Sequence, residues 1–366
     1  MPWQWPWRRT QDRALWQIGD LAVPATAAGE SVTTDRALRL STVFGCVGLL
    51  ADSVSTLPVD VFRDGSRDPI PTPPLLQRPS ADFPEFSDWC WAVMASLLLR
   101  GNCWGVITDR TGPGLLPAQV DLVDPDAVSV SNEDGRWVVR IGGQEQDRAD
   151  LFHCRAYAWP GKLEGLSPIT YARESIGLGI ASEKYAARFF GDSGIPSGYL
   201  YSDQRMDQPK VDQVKAQWEA AHRGRRGTAV LSQVKYQNLS IAPEEAQFIQ
   251  TQKLNAAAVC RIFRVPAGMM AGVELAGHED YSSPEQRATD FLTFTLRPWL
   301  HRVERAVSRL LPSTQTAKFN AGAMVRATLL DRYQAHKLAI EAGFLTVNEA
   351  RALEDRPPLP EGGAVA

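Results

Sequence analysis

Residues 272–286 read GVELAGHEDYSSPEQ and set His278, Glu279 and Asp280 side by side, just ahead of Ser282 and Ser283. A histidine flanked by carboxylates offers metal ligation or acid–base chemistry, and a serine nearby offers a nucleophile. The spacing supports neither. Consecutive side chains point in different directions, whereas a helical zinc pair needs histidines four residues apart with a third ligand elsewhere. His153, His222, His301 and His336 complete no metal-binding pattern either. Ser282 and Ser283 precede Pro284 and Glu285, the signature of a helix start. Ser167, in GLSPI, lacks the Gly-x-Ser-x-Gly elbow of a hydrolase and also reads as a helix cap. AGVELAG lacks the Lys-Ser/Thr of a phosphate loop, and GDSGIPSG lacks dinucleotide-binding glycine spacing. The sequence thus assigns no catalytic residue, no metal and no cofactor.

A second group is basic. HRGRRG, His222 to Gly227, puts Arg223, Arg225 and Arg226 on a helix-to-strand connection, within reach of a phosphate backbone or an acidic partner. An ordinary solvated charge cluster is the alternative. Arg297, Arg302, Arg305 and Arg309 recur along a long helical pattern and read as a solvated face, with Glu304 as a local partner. The formal net charge is −3, which argues against a strongly basic nucleic-acid binder but not against a surface that must let phosphates pass. The five cysteines are scattered with no Cys-x-x-Cys pair and read as buried free thiols. The first residues, MPWQWPWRRTQDRALW, are rich in tryptophan and proline and lack the apolar run of a signal peptide. No apolar stretch is long enough to span a membrane.

The elements that must position these groups follow from periodicity. Val43, Val47, Leu50, Val54 and Leu57 predict a helix capped by Ser41, followed by a strand through Val59 and Val61. Phe86, Trp89 or Cys90, Val93 and Leu97 predict a second helix that turns at Gly101-Asn102 into the strand CWGVIT. Period-2 segments with a turn at Asp134-Gly135 complete a small mixed α/β region. From Ser167 one helix of about six turns is expected, with Gly177 and Gly179 allowing a close helix–helix contact. A strand–helix–strand insert comes next, then a long helix from Pro243 that ends at Val265-Pro266. Phe291, Thr295, Trp299, Val303, Ala306 and Leu310 stripe the longest helical region, which Pro298 should kink, with Arg297 restricted. A strand near AKFNAGAMVRA and two short helices, the second capped near Thr346 or Asn348, close the chain.

Several blocks, taken in order, resemble the portal proteins of tailed bacteriophages, specifically the compact family of long-tailed phages. They are STVFGCVGLLADSVSTLPVDVFR (41–63), LLLRGNCWGVI (97–107), GLSPITYARESIGLGIASEKYAARFF (165–190) and GIPSGYL (194–200). APEEAQFIQTQKLNAAAVCRIFRVPAGMMAG (242–272), TFTLRPWLHRVERAVSRLL (293–311) and LAIEAGFLTVNEARALEDRPPLP (338–360) follow. The tryptophan-rich first twenty residues fall outside the resemblance.

The resemblance implies an α+β portal fold and a non-enzymatic structural role. In such a protein, residues 1–29 would be an N-terminal arm, 30–166 the wing, 167–194 a first stem helix and 195–242 the clip. Residues 243–270 would be a second stem helix, 271–283 a tunnel loop, 284–327 a spine helix with a strand returning to the wing, and 328–366 a small crown and tail. It further implies a homo-oligomeric ring, usually of twelve subunits, at one capsid vertex, through which double-stranded DNA passes without sequence specificity. The implied partners are the large terminase, then the head-tail adaptor, and the major capsid protein, with no membrane. Glu274, His278, Glu279, Asp280 and Tyr281 would then face the channel, and His222, Arg223, Arg225 and Arg226 would lie where terminase and adaptor dock. The same residues would serve the portal of a defective prophage or gene transfer particle. A non-conducting ring-forming adaptor is the rival of a different class.

Overall fold

The computed structural model describes residues 25–66, 68–112, 114–191, 198–201, 207–222, 235–238, 242–270, 284–321, 329–354 and 356–359. Helix α1 (Thr34–Leu38) runs into α2 (Ser41–Ser55), which leads to strands β1 (Val59–Arg63) and β2 (Pro69–Ile70). The short helix α3 (Pro74–Gln77) precedes α4 (Phe86–Arg100). Strands β3 (Asn102–Thr111), β4 (Leu116–Val123) and β8 (Leu151–Arg155) form one antiparallel sheet in the order β4-β3-β8. Between β4 and β8, strands β5 (Val128–Glu133), β6 (Arg136–Ile141) and β7 (Gln144–Glu145) form a separate meander. Its turn is the expected Asp134-Gly135, both at positive φ, as a two-residue hairpin matched to strand twist requires.

The two helical stripes expected near the N-terminus face the core, with Phe86 at the start of the second only half-buried. In α2, Val43, Val47, Leu50 and Val54 face the core together with Leu57 just beyond its end. In α4, Trp89 and Cys90 are both buried, alongside Val93, Met94, Leu97 and Leu98. The Trp89 ring lies 5.4 Å from that of Phe152. Its indole N–H donates to the Val120 carbonyl at 3.1 Å, so the large ring is buried without leaving its donor unpaired. Ser41 does not cap α2. Leu40 occupies that position with no side-chain cap, because α1 ends at Leu38 and only Arg39 and the buried Leu40 separate the two helices.

Strands β9 (Tyr157–Ala158) and β10 (Gly165–Leu166) lead into the helices that follow. The single helix expected from Ser167 is broken into α5 (Pro168–Tyr171) and α6 (Arg173–Gly191). Ala172, at φ −102 and ψ 9, is the joint. Pro168 and Ile169 are buried on the core side, so α5 is held in place ahead of α6.

Strand β11 (Gly198–Tyr201), helix α7 (Gln208–His222) and strand β12 (Lys235–Asn238) form the expected insert, with β11 and β12 antiparallel. Helix α8 (Ala242–Phe263) returns to the core. Because β11 pairs with β12, the end of α6 and the start of α8 sit together and the two helices run antiparallel. Gly179 makes their close approach possible: a Cβ there would sit 2.4 Å from Asn255 Nδ2 of α8. Gly177 instead faces Thr26, so neither glycine is left for contact with another subunit.

The long C-terminal helix is also not uniform. Helix α9 (Pro284–Asp290) passes through a π-helical stretch, Phe291–Leu296, into α10 (Arg297–Ser308). The expected stripe from Phe291 to Leu310 is buried at all six positions. Arg297 is helical (φ −50, ψ −41) rather than driven out of the α region, and its N–H bonds five residues back to Leu292. The widened turn lies directly ahead of Pro298, whose ring would clash with the carbonyl four residues back in a regular α-helix. Strand β13 (Gln315–Phe319) then pairs antiparallel with β1, from Val59↔Phe319 to Arg63↔Gln315. Helices α11 (Leu329–Glu341) and α12 (Val347–Leu353) follow, the latter with a capping box between Thr346 and Glu349.

Candidate functional site

Glu274, His278, Glu279, Asp280 and Tyr281 lie outside the described residues, as do Arg223, Arg225 and Arg226; His222 is the last residue of α7. What the structure shows is how the chain just ahead of residues 271–283 is held. Segment 271–283 leaves from the end of α8, where Arg264 adopts a left-handed conformation at φ +58. Val265 N–H donates to the Cys260 carbonyl at 2.9 Å, and Arg264 N–H to Arg261 at 3.2 Å. This is the double bond pattern that ends a helix, usually with glycine at the left-handed position. A non-glycine residue there costs roughly 1–2 kcal/mol. Two contacts hold it: Thr295 Oγ1 donates to the Arg264 carbonyl at 2.7 Å, and the guanidinium lies 6.0 Å from the Tyr157 ring centre. A few residues on, the Met270 methyl fills the space where Gly45 of α2 would carry a Cβ, 2.4 Å away. The residues that precede the segment are thus fixed to α2 and to the π-helical stretch, and α9 follows it.

Arg302 is not a solvated charge. Its Nε donates to the Ala156 carbonyl at 2.7 Å and its NH1 to Pro298 at 3.0 Å. The guanidinium lies 4.8 Å from the Trp299 ring centre and 5.3 Å from that of Tyr157. Burial lowers its pKa below the ordinary arginine value, yet these carbonyls and rings keep the charge well placed. Glu304 does not act as the expected partner for the arginines: its Oε1 accepts from Phe319 N–H of β13 at 2.9 Å. The arginine pattern was visible in the sequence, but these partners are backbone groups and rings brought in from elsewhere.

Asn102, which in the sequence marks only a turn, is a polar hub. Its Oδ1 accepts from Gly165 N–H at 2.7 Å, and its Nδ2 donates to the Gly165 carbonyl at 2.9 Å. Gly101, left-handed at φ +75, ends α4 just before it; a Cβ there would lie 2.3 Å from the Leu166 carbonyl oxygen. His153 Nε2 lies 3.1 Å from Asn102 Oδ1, and its ring stacks on Trp104 at 3.6 Å. Burial, reinforced by Arg155, Arg309 and Arg148, pushes the His153 pKa down to about 3, so the ring is neutral at pH 7.

None of this forms a reactive centre. Ser167 Oγ accepts from Thr170 N–H and donates to the Leu99 carbonyl, as a helix cap and tether. The five cysteines are buried, and burial pushes Cys90 and Cys154 up to about 12, far from the reactive thiolate range. Among the described residues no cluster of three His, Cys, Asp or Glu side chains could hold a metal, and no helix is long and apolar enough to cross a membrane. A cleft of about 460 Å³ between α11 and α12 is lined by Tyr333, His336, Ile340, Val347 and Glu354. There Glu354 is engaged by Arg332 and, at 3.1 Å, by His336. The cleft therefore holds a structural ion cluster.

The family model described as phage portal protein matches residues 41–355. The chain belongs to the phage portal protein family. It is 31% identical to a probable portal protein of Streptomyces phage phiC31, over 96% of this chain and 81% of that protein. It is 27% identical to the portal protein of Enterobacteria phage HK97, over 96% of this chain and 86% of that one. The mixed α+β fold is shared, at a TM-score of 0.66 and 20% identity, with a chain from the neck of an empty gene transfer agent particle, covering 89% of this chain and 94% of that one. As a portal protein, the chain is a structural, non-catalytic component of the ring-shaped DNA channel at the capsid vertex of the virion. This accounts for a described surface of caps, tethers and ion pairs with no reactive group among them.

Proposed function

We propose that the chain divides its work along its length as a wedge of a twelve-subunit ring. Residues 30–166 with β13 form the wing, and α6 and α8 the stem. The β11–α7–β12 insert is the clip, residues 271–283 the tunnel loop, α9 with α10 the spine, and 328–366 a small crown. The observation that carries this reading is the antiparallel α6–α8 pair, with its paired-strand insert at one end and a fixed departure point at Met270 at the other. A closed catalytic pocket gains nothing from that arrangement. A ring subunit uses it to project one module outward and one segment inward.

Glu274, His278, Glu279, Asp280 and Tyr281 form a polar, largely acidic collar when repeated by symmetry. Duplex DNA slides past it because the channel does not bind phosphates tightly, consistent with the formal net charge of −3. His222, Arg223, Arg225 and Arg226 at the clip receive the large terminase during packaging and the head-tail adaptor afterwards, and the wing meets the major capsid protein. Electron microscopy of the purified chain tests the assembly: closed rings with an axial opening wide enough for a duplex are expected, and a stable monomer under assembly conditions refutes it. Glutamate substitution of Arg223, Arg225 and Arg226 should impair packaging or tail joining while rings persist. Unchanged packaging and tail joining would remove the docking role.

A further inference from the structure

On α10 and its C-cap the exposed positions are Arg297, His301, Arg305 and Arg309, one every four residues. Four residues of helix rise about 6 Å and overshoot a full turn by about 40°, so these groups form one slanted ridge about 18 Å long. No carboxylate interrupts it. Glu304, the one acid of α10, turns to β13, where its Oε1 accepts from Phe319 N–H. Among the described residues Arg297, Arg305 and Arg309 enter no ion pair. The helix dipole accounts for arginines near the C-terminal end of α10, but not for Arg297 at the other end.

The ridge continues off the helix. Helix α10 packs on β8, and Arg155 of β8 and Arg148 just ahead of that strand are both exposed. The His153 ring marks where they meet: after burial, it is Arg155, Arg309 and Arg148 that hold its pKa low, although Arg309 is far from the other two in the chain. Arg155 donates to the carbonyls of Leu163 at 3.2 Å and Lys162 at 3.5 Å, neutral partners that leave its charge unbalanced. The acids closest in sequence are engaged elsewhere. Asp150 pairs with Arg110 at 2.7 Å, and Asp147 accepts from Ala149 N–H at 3.0 Å. Lys162 and Glu164, both exposed on the β9–β10 connection, offset each other in charge. The neighbouring meander behaves differently, pairing Arg140 with Glu133 at 2.7 Å.

We propose that the ridge of Arg297, Arg305 and Arg309, continued by Arg155 and Arg148, is a track for the phosphate backbone of duplex DNA. Guanidinium forks match phosphate oxygens, and 18 Å of ridge spans about five steps of a duplex strand at about 3.4 Å each. A folded protein is the rival occupant, but protein interfaces are built around an apolar centre, and α10 exposes no apolar side chain along the ridge. A surface of one sign with nothing apolar in it fits a polyanion. The inference deepens the functional reading above and rests on the family's place in the DNA channel, not on the assignment of wing, stem or clip. It also separates two kinds of encounter: the acidic sequence at 271–283 suits DNA that slides, and an arginine ridge suits DNA that stays.

Fluorescence anisotropy of the full chain with short labelled duplexes of two unrelated sequences, titrated with salt, tests it. Both duplexes should bind alike. The slope of log affinity against log salt should fall by about one for each of Arg297→Gln, Arg305→Gln and Arg309→Gln. The triple glutamine variant should bind at least about tenfold more weakly, and lysine at the same three positions should restore the slope. A second measurement uses the unsubstituted chain and so does not depend on how a variant folds. Phenylglyoxal modification read by mass spectrometry should show Arg297, Arg305 and Arg309 shielded by the duplex, while Arg39, exposed and paired with Asp35, is not. No binding by the unsubstituted chain at low salt, an unchanged slope in the triple glutamine variant, or equal modification with and without duplex overturns the inference. So does a triple variant that loses rings but binds DNA as before, which would give the ridge to a neighbouring copy. Neither measurement needs a ring to form, so failure of the assembly proposal leaves this test standing.

Discussion

Helices α2 and α6 are similar in length but find their partners in different places. Every apolar position of the α2 stripe, from Val43 to Val54, is buried within the chain, against α4, α8 and the π-helical stretch. Helix α6 buries Ile176, Gly177 and Gly179 on one side and leaves Leu178 49% exposed on the other. The first region contributes to the stability of the single chain. The second leaves apolar surface exposed in the single chain. Buried and exposed positions therefore alternate along α6, in places on adjacent residues.

The contrast breaks most severely at Trp89, whose ring contacts Phe152 and whose N–H is held by Val120. Trp89→Ala should cost about 3–5 kcal/mol of single-chain stability in urea titration. Gly179→Val should cost about 1–3 kcal/mol, because the new side chain meets Asn255 and Leu40, and a shifted urea midpoint checks it. His153 makes the core region pH-sensitive. Its folded pKa lies near 3, below the ordinary 6.5, so the unfolded chain takes up this proton first as pH falls. The stability it contributes is present above pH 6.5 and is lost toward pH 3 by up to about 1.4 kcal/mol per unit. Urea midpoints across that range should flatten in His153→Gln. The smallest effect is expected one residue from Gly179: Leu178→Ser should move single-chain stability by less than about 0.5 kcal/mol in the same titration. If it destabilised the chain as much as Gly179→Val, the division between the two regions would be lost.

Periodicity made the core helices legible. The stripes of α2 and of Phe291 to Leu310 came through because a face with a 3.6-residue period is a property of the local sequence. The sequence missed what depends on meetings in space. Asn102 and Gly165 lie 63 residues apart, and nothing local announces that a side-chain amide pairs with a glycine backbone. The cap expected at Ser41 failed because α1 runs almost directly into α2, which a single periodic pattern does not reveal. The π-helical turn before Pro298 is a backbone response to the ring, whereas the rule for the residue before proline describes open chains better than helix interiors. The candidate channel and docking residues rest on family resemblance, helped in the first case by the anchored residues ahead of 271, since their own spacing carries no chemistry.

The pairing of β1 with β13 has a consequence in time. Val59 leaves the ribosome about 260 residues before its partner Phe319. At typical rates of synthesis this is a delay of tens of seconds. Throughout it one edge of β1 has no strand to bond, and the stripe of α10 that covers the core beside β13 has not yet been made. A chain interrupted before residue 315 would carry that open edge permanently. In a crowded cell, premature termination of this protein should therefore yield aggregates or chaperone substrates rather than a smaller working part, and the last third of the message decides whether the first third ever becomes soluble.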